Sequence, residues 1–199
     1  VQEVSQNGIE NVQILSPQRK KGTVCANRLN SEIRDLVNPP RAGRAEIKCG
    51  GMTYRVGDRV IQTRNQEEVA NGEVGVITAI TGDGTNDPVI EITLLDGRVL
   101  NYSADMLEDV DLSYCISIHK SQGAEFPVVL IPILKEHYIM LRRNLLYTAI
   151  SRAKSKVILI GQRQAIYMAI HKHDVDKRNT ALADRITVYY DREQQRPAS

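Results

Sequence analysis

Three short stretches of this sequence gather residue types that handle phosphate. The first, Gln13-Ile-Leu-Ser-Pro-Gln-Arg-Lys-Lys-Gly22, ends a β-prone run in three consecutive cations, Arg19, Lys20 and Lys21. The second runs from Ile118 to Ile131 and places His119, Lys120, Ser121, Gln122, Gly123 and Glu125 in a polar turn just ahead of a long apolar segment. Such a turn at a sheet edge offers backbone N–H groups, a cation and hydroxyls to phosphates. The third, Asn144 to Lys154, puts Arg152 at the end of a helical segment and just before the apolar run Val157–Gly161. That is the rim of a sheet, where ligand sites gather. Each stretch also has an ordinary reading: a solvated charge run, a loop before a core strand, and a helix C-terminal cation favoured by the dipole. His171-Lys-His173 has no third ligand nearby and is not read as a metal site.

The surrounding pattern predicts what holds these stretches. Val12–Leu15 reads as a short strand. Gly22-Thr23 supplies an N-cap for a helix over about 24–37, with Ala26, Leu29, Ile33, Leu36 and Val37 on one buried face. Asn38-Pro39-Pro40 ends it, and the Gly-, Arg- and Lys-rich stretch 41–53 reads as a loop. Short β-rich runs follow at 56–63, 73–80, 89–95 and 98–102, punctuated by Asn71-Gly72, Gly82-Asp-Gly84 and the hairpin signal Asp96-Gly97. So many strands in so short a span predict a small barrel. Beyond Asp111 the pattern gives strands at 112–117, 126–134 and 157–161 and helices at 137–152 and 162–172. Near-continuous apolar strands alternating with helices predict an α/β fold whose parallel sheet is covered on both faces. The economical division is one α/β domain, 1–53 plus 112–190, interrupted by a β insertion over 54–111 and followed by a polar tail, 191–199. Tyr147, Tyr167 and Tyr189 lie on apolar-patterned segments and are expected in the core or at its rim.

Composition narrows the class. Across 199 residues, 42% hydrophobic and 25% charged content exclude widespread disorder and collagen-like structure. Three scattered cysteines exclude a disulfide framework and point to a reducing, cytoplasmic compartment. The longest apolar run, Phe126–Leu134, is nine residues with two prolines, against the about 20 that a membrane helix needs. No signal peptide is recognisable, and the start at Val1 suggests a piece of a longer protein. The net charge of +2 hides strong segregation. Residues 17–48 carry eight Lys/Arg and three acids, 64–111 two and eleven, and 118–163 eight and two. The blocks are therefore +5, −9 and +6.

In this order, the three stretches resemble the C-terminal motifs of superfamily 1 DNA helicases, most closely the RecD-like group (exodeoxyribonuclease V alpha subunit and its stand-alone relatives). "QILSPQRKKG" resembles motif IV, "IHKSQGAEFPVVLI" motif V and "NLLYTAISRAK" motif VI. The segment from "RVGDRVIQTRN" through "NGEVGVI" resembles the SH3-like subdomain, called 2B, inserted in the second motor domain, 2A. The resemblance covers residues 10–185. It implies a RecA-like parallel sheet interrupted by a small SH3-like β barrel, and a nucleotide cleft shared with an N-terminal motor domain, 1A.

By motif match, Arg152 would be the arginine finger on the γ-phosphate of ATP and Arg19 a second γ-phosphate arginine. Gly123, Glu125 and Gln122 would approach the nucleotide. His119, Lys120 and Ser121 would face single-stranded DNA, with Arg64 and, in the barrel, Arg55 and Arg59 as further contacts. No phosphate loop of the GxxxxGK[ST] type occurs in the chain, so ATP with Mg²⁺ would be bound mainly by domain 1A. The resemblance implies 5′→3′ translocation in a bacterial, nucleoid-associated setting, no membrane partner, and inactivity of this piece alone. The acidic barrel would meet DNA at few positions and could face a protein partner. A conjugative relaxase's helicase part and a non-catalytic nucleic-acid or protein-binding module remain the alternatives.

Overall fold

The computed structural model describes residues 2–82 and 87–172. The expected Gly84 of one turn, His173, Tyr189, the 173–190 end of the α/β domain and the tail 191–199 lie outside the described residues.

The chain begins with a short helix α1 (Gln2–Asn7) and enters β1 (Val12–Ser16), where Val12, Leu15 and Ser16 are buried. Helix α2 (Ala26–Val37) follows, later than the expected start, with Cys25 rather than Thr23 at its N-cap. Its buried residues are Ala26 and Asn30, and Leu36 is exposed. Ile33 and Val37 pack against the barrel core as the aliphatic periodicity predicts, Leu36 does not, and the periodicity missed Asn30 at the centre of the face. Asn30 is buried because it answers backbone groups that would otherwise be stranded. Its Nδ2 donates to the carbonyls of Leu112 and Cys115, each at 2.9 Å, and its Oδ1 accepts from the Cys115 N–H at 2.7 Å.

The stretch expected as a loop is a hairpin, β2 (Glu46–Cys49) and β3 (Met52–Arg55). Gly50 and Gly51, with φ +55° and +78°, supply the turn that a side chain would resist. The Gly and Lys content that suggested a loop belongs to the turn and to an exposed strand face. Strands β4 (Arg59–Gln62), β5 (Val74–Thr81), β6 (Val89–Leu94), β7 (Val99–Tyr102) and β8 (Val110–Leu112) form an antiparallel sheet in the order β7-β6-β5-β4-β8. The Asp96-Gly97 turn joins β6 to β7 with Gly97 at φ +92°. Ile77, Ile90, Ile92 and Tyr102 close its core, and Ile47 and Met52 of the hairpin pack against it.

The predicted strand 112–117 is two strands. At Ser113-Tyr114 the chain leaves the barrel and starts β9 (Cys115–Ser117), the edge strand of a second sheet. That sheet is wholly parallel, in the order β11-β10-β1-β9, with β10 at Phe126–Ile133 and β11 at Ala153–Gly161. Helix α3 (Arg143–Ile150) starts six residues later than expected, because Leu141 is buried from a turn rather than from a helix. Helix α4 (Arg163–His171) packs beside it. Strand β11 was expected to be buried, yet Leu159 and Ile160 are exposed, because β11 is the last strand of the sheet among the described residues. Tyr147 and Tyr167, expected in the core or at its rim, are 73% and 63% exposed. Among the described residues, no helix is long and apolar enough to cross a membrane.

Candidate nucleotide and nucleic-acid faces of the parallel sheet

Because all four strands run the same way, the sheet has an amino edge and a carboxyl edge, and the candidate residues divide between them. At the carboxyl edge, Ser16 ends β1: its Oγ donates to the Val24 carbonyl at 2.7 Å, and its carbonyl accepts from Ile118 N–H at 3.0 Å. The loop between carries Arg19, Lys20 and Lys21, all exposed. Glu136, just past β10, anchors that loop by accepting from the Thr23 N–H and hydroxyl, both at 2.9 Å, and from the Val24 N–H at 3.2 Å. Gly22 turns there at φ +96°, and a Cβ at this position would stand 3.0 Å from the Glu136 carboxylate. An open depression of about 390 Å³ is lined by Arg19, Lys20, Lys21, Ser117, His119 and Met140.

A second cavity of about 200 Å³ lies between α2 and the barrel, with Arg19, Asn27, Asp111 and Lys120 on its wall. Arg19 is held there by Asp111, Nη2 to Oδ2 at 2.8 Å, both side chains being partly exposed. Lys120 is half-buried, and burial pushes its pKa below the ordinary lysine value; Asp111 opposes that shift and Arg19 adds to it.

Ser121 does not face a strand. It is fully buried, and its hydroxyl donates to the Ile118 carbonyl at 2.7 Å while its N–H meets Ser117 and Ile118 carbonyls. Its role is to close the turn that presents His119, which is exposed. Two barrel arginines are corrected for the same reason, since both are withdrawn from solvent. Arg55 is tied to Glu46 at 2.8 Å, to Asp35 at 3.2 Å and to the Asn38 carbonyl, and Arg59 is fully buried. Arg64 is 79% exposed and pairs with Asp109 at 3.2 Å.

At the amino edge, the turn from Ser121 into β10 brings Gly123, Ala124 and Glu125 beside Arg152. The Arg152 carbonyl accepts from Phe126 N–H at 2.8 Å, and its Nη1 donates to the Ala124 carbonyl at 3.1 Å. Its Nε reaches the Thr148 carbonyl at 3.3 Å and its Nη2 the Ser151 hydroxyl at 3.1 Å. A guanidinium carries five N–H groups, so it keeps donors for an incoming anion. Gly123 stands at φ +88°, and no atom lies within 4 Å of where a Cβ would stand, so its backbone is an open cradle. Gln122 is exposed, and Glu125 is 59% exposed with only a 3.9 Å approach to Lys154.

The end of β1 and Arg152 lie at opposite ends of the parallel strands. The registers Phe126↔Ala153 and Ile14↔Leu130 set Arg152 level with Glu125 and Ser16 level with Pro132. Seven residues at about 3.3 Å each separate those levels by roughly 20 Å. That spacing separates the end of β1 from Arg152; the Arg19 side chain itself turns to Asp111 at 2.8 Å. Among the described residues, no three His, Cys, Asp or Glu side chains come together to hold a metal. Asp111, Glu136 and Asn30 went unnoticed in the sequence. Glu136 had a visible signal, as one of only two acids in the basic block 118–163.

A wholly parallel sheet interrupted by a small antiparallel barrel matches the second motor domain of a superfamily 1 helicase with its SH3-like insertion. Family models agree in two places: the UvrD-like helicase C-terminal domain matches residues 112–160 and the ATP-dependent RecD-like DNA helicase SH3 domain matches residues 29–92. The chain is RecD-like. It is 33% identical over 181 residues to the ATP-dependent RecD2 DNA helicase of Deinococcus radiodurans, covering 89% of this chain and 24% of that protein. It is 31% identical over 136 residues to the RecBCD enzyme subunit RecD of Mycolicibacterium smegmatis, covering 67% and 23%. The chain thus spans about a quarter of the length of these relatives. Solved structures share the fold: Pif1 helicase from Candida albicans at TM-score 0.55 and 14% identity, covering 94% of this chain and 50% of that one. Pif1 helicase from Bacteroides, in complex with ADP-AlF3 and ssDNA, matches at TM-score 0.53 and 19% identity, covering 89% and 45%.

Proposed function

We propose that this chain is the 2A motor domain, with its 2B barrel, of an ATP-dependent RecD-like DNA helicase that moves 5′→3′ on single strands. The observation that carries the reading is the division of chemistry between the two sheet edges. The amino edge suits a nucleotide: Arg152 is the arginine finger, a permanently charged fork matched to the γ-phosphoryl oxygens. Gly123 offers backbone approach, with Gln122 and Glu125 at the rim, Glu125 toward the ribose. The carboxyl edge suits a phosphodiester track: Lys20, Lys21, His119 and Lys120 supply sequence-independent contacts. Arg19 borders this groove and stays the candidate second γ-phosphate arginine, and Arg64 adds an exposed cation on the barrel.

The domain division proposed is 1–53 with 112–190 for the motor fold and 54–111 for the insertion. Domain 1A would supply the phosphate loop and the Mg²⁺ ligands, so this stretch alone would not hydrolyse ATP. The family resemblance, the names of the relatives and the open geometry of both edges support these assignments. Arg152→Ala in a protein carrying both motor domains is expected to lower kcat for ATP by about 10³-fold or more, with single-stranded DNA affinity within about twofold. Wild-type turnover in that variant overturns the finger assignment, and DNA-stimulated ATPase from the isolated chain overturns the need for domain 1A.

A further inference from the structure

One buried cation ties the inserted barrel to the amino edge of the parallel sheet. Arg59, on β4, has a fully buried side chain. Its Nη1 donates to the carbonyl of Ile9 and, at 2.8 Å, to that of Val12, where the chain enters β1. Its guanidinium carbon lies 5.9 Å from the centroid of the Phe126 ring. The Arg59 carbonyl accepts from the Ser113 N–H at 2.9 Å, so the same residue also borders the crossing from barrel to sheet. Arg59 Nε and Nη2 meet no acceptor among the described residues. Burial pushes its pKa down to about 10, which leaves it charged at neutral pH.

A desolvated cation with two idle donors is a poor fastener, since well-packed apolar residues join two cores with less desolvation. What the planar fork adds is geometry, holding two carbonyls and a ring in one arrangement. That ring leads to the nucleotide face. The Phe126 N–H donates to the Arg152 carbonyl at 2.8 Å, and the Arg152 guanidinium grips the carbonyl of Ala124, two residues before Phe126.

We propose that Arg59 is a positioning residue for Arg152: the barrel, through Arg59 stacked on Phe126, sets where the Arg152 guanidinium stands at the amino edge. The inference rests on the role given to Arg152 above. Arg59 touches no substrate; it acts by fixing the strand start on which Arg152 hangs, and it makes ATP turnover depend on how the barrel is seated.

The test uses the helicase with both motor domains. Arg59→Lys keeps the charge and loses the fork. It is expected to lower kcat for DNA-stimulated ATP hydrolysis by about tenfold or more, since small misplacement of a charged group is costly to rate. KM for ATP and affinity for a single strand should stay within about twofold, because uniform binding is untouched. In an Arg152→Ala background, Arg59→Lys is expected to give no further loss, whereas a merely structural role lowers the rate in both backgrounds. Wild-type kcat in folded Arg59→Lys, or a further loss in the Arg152→Ala background, overturns the proposal. Should Arg59→Lys fail to fold, Phe126→Leu keeps an apolar core residue and removes the ring; the same kcat-selective loss is expected, and unchanged kcat overturns the proposal. Arg152→Ala alone separates the two readings. If it turns over normally, the finger assignment fails; if it collapses while Arg59→Lys and Phe126→Leu stay at wild-type kcat, only the role of Arg59 fails.

Discussion

Where β10 gives out, a buried histidine and a carboxylate stand side by side and make this fold sensitive to acid. His137 is fully buried; its Nδ1 accepts from the Leu134 N–H at 3.3 Å, so the proton sits on Nε2, 3.6 Å from Glu136 Oε1. Burial holds the His137 pKa below its ordinary 6.5, with Glu136 pulling the other way. For Glu136, burial works to raise the carboxyl, but the bonds from Thr23 and Val24 outweigh it and hold the pKa below 4.5. Both signs agree. Each folded pKa lies below its unfolded value, so each group's stabilisation is present above that unfolded value and lost as pH falls through the folded one. The histidine step comes first, below 6.5, and the glutamate step below 4.5. Urea midpoints followed from neutral pH downward are expected to fall in two stages, with His137→Gln removing the upper stage and Glu136→Gln the lower. Because Glu136 holds the 17–24 loop, its titration also loosens the cations that face the proposed DNA track.

At the scale of elements, α2 braces the joint between barrel and sheet through Asn30. Asn30 satisfies three backbone groups of β8 and β9, two carbonyls and one N–H, on either side of the crossing. Asn30→Ala is expected to destabilise the chain by about 2–3 kcal/mol, since buried backbone groups lose their partners. A chemical denaturation midpoint checks this, and a loss below about 0.5 kcal/mol would place it among ordinary surface substitutions. Much of the element list could be read from the sequence. The Asp96-Gly97 hairpin, the barrel strands and the apolar β10 follow from turn chemistry and alternation. The β2–β3 hairpin was missed although Ile47, Cys49, Met52 and Tyr54 alternate toward the barrel core, because each strand is only four residues long and sits in a Gly-, Arg- and Lys-rich stretch. The centre of α2 was misread because an asparagine that answers stranded backbone groups looks like a surface residue in any hydrophobic pattern.

For the whole molecule, charge segregation by sequence becomes segregation by place. The +5 and +6 blocks supply the loop cations at the carboxyl edge, while the −9 block is the barrel. Part of that acidity is paired on the barrel surface: Arg98 bonds Glu73 at 2.5 Å and Asp96 at 2.7 Å. In the two-domain protein, Lys20→Ala with Lys21→Ala is expected to flatten the salt dependence of single-stranded DNA binding. Its log–log slope should shrink by at most about 0.7 for each phosphate that is no longer neutralised. Affinities at several salt concentrations give that slope, and an unchanged value would remove both lysines from the track.

By itself the sequence determined which stretches carry chemistry and that a β insertion splits an α/β fold, because motif order, turn residues and hydrophobic period are local properties. It could not assign Arg19 to an edge or tell exposed Arg64 from buried Arg59. Only strand direction and register decided that the end of β1 and Arg152 lie roughly 20 Å apart, and only packing turned Ser121 inward. Those outcomes depend on which surfaces the folded layers bring together, and residues far apart in the chain meet there without leaving any periodic trace in it.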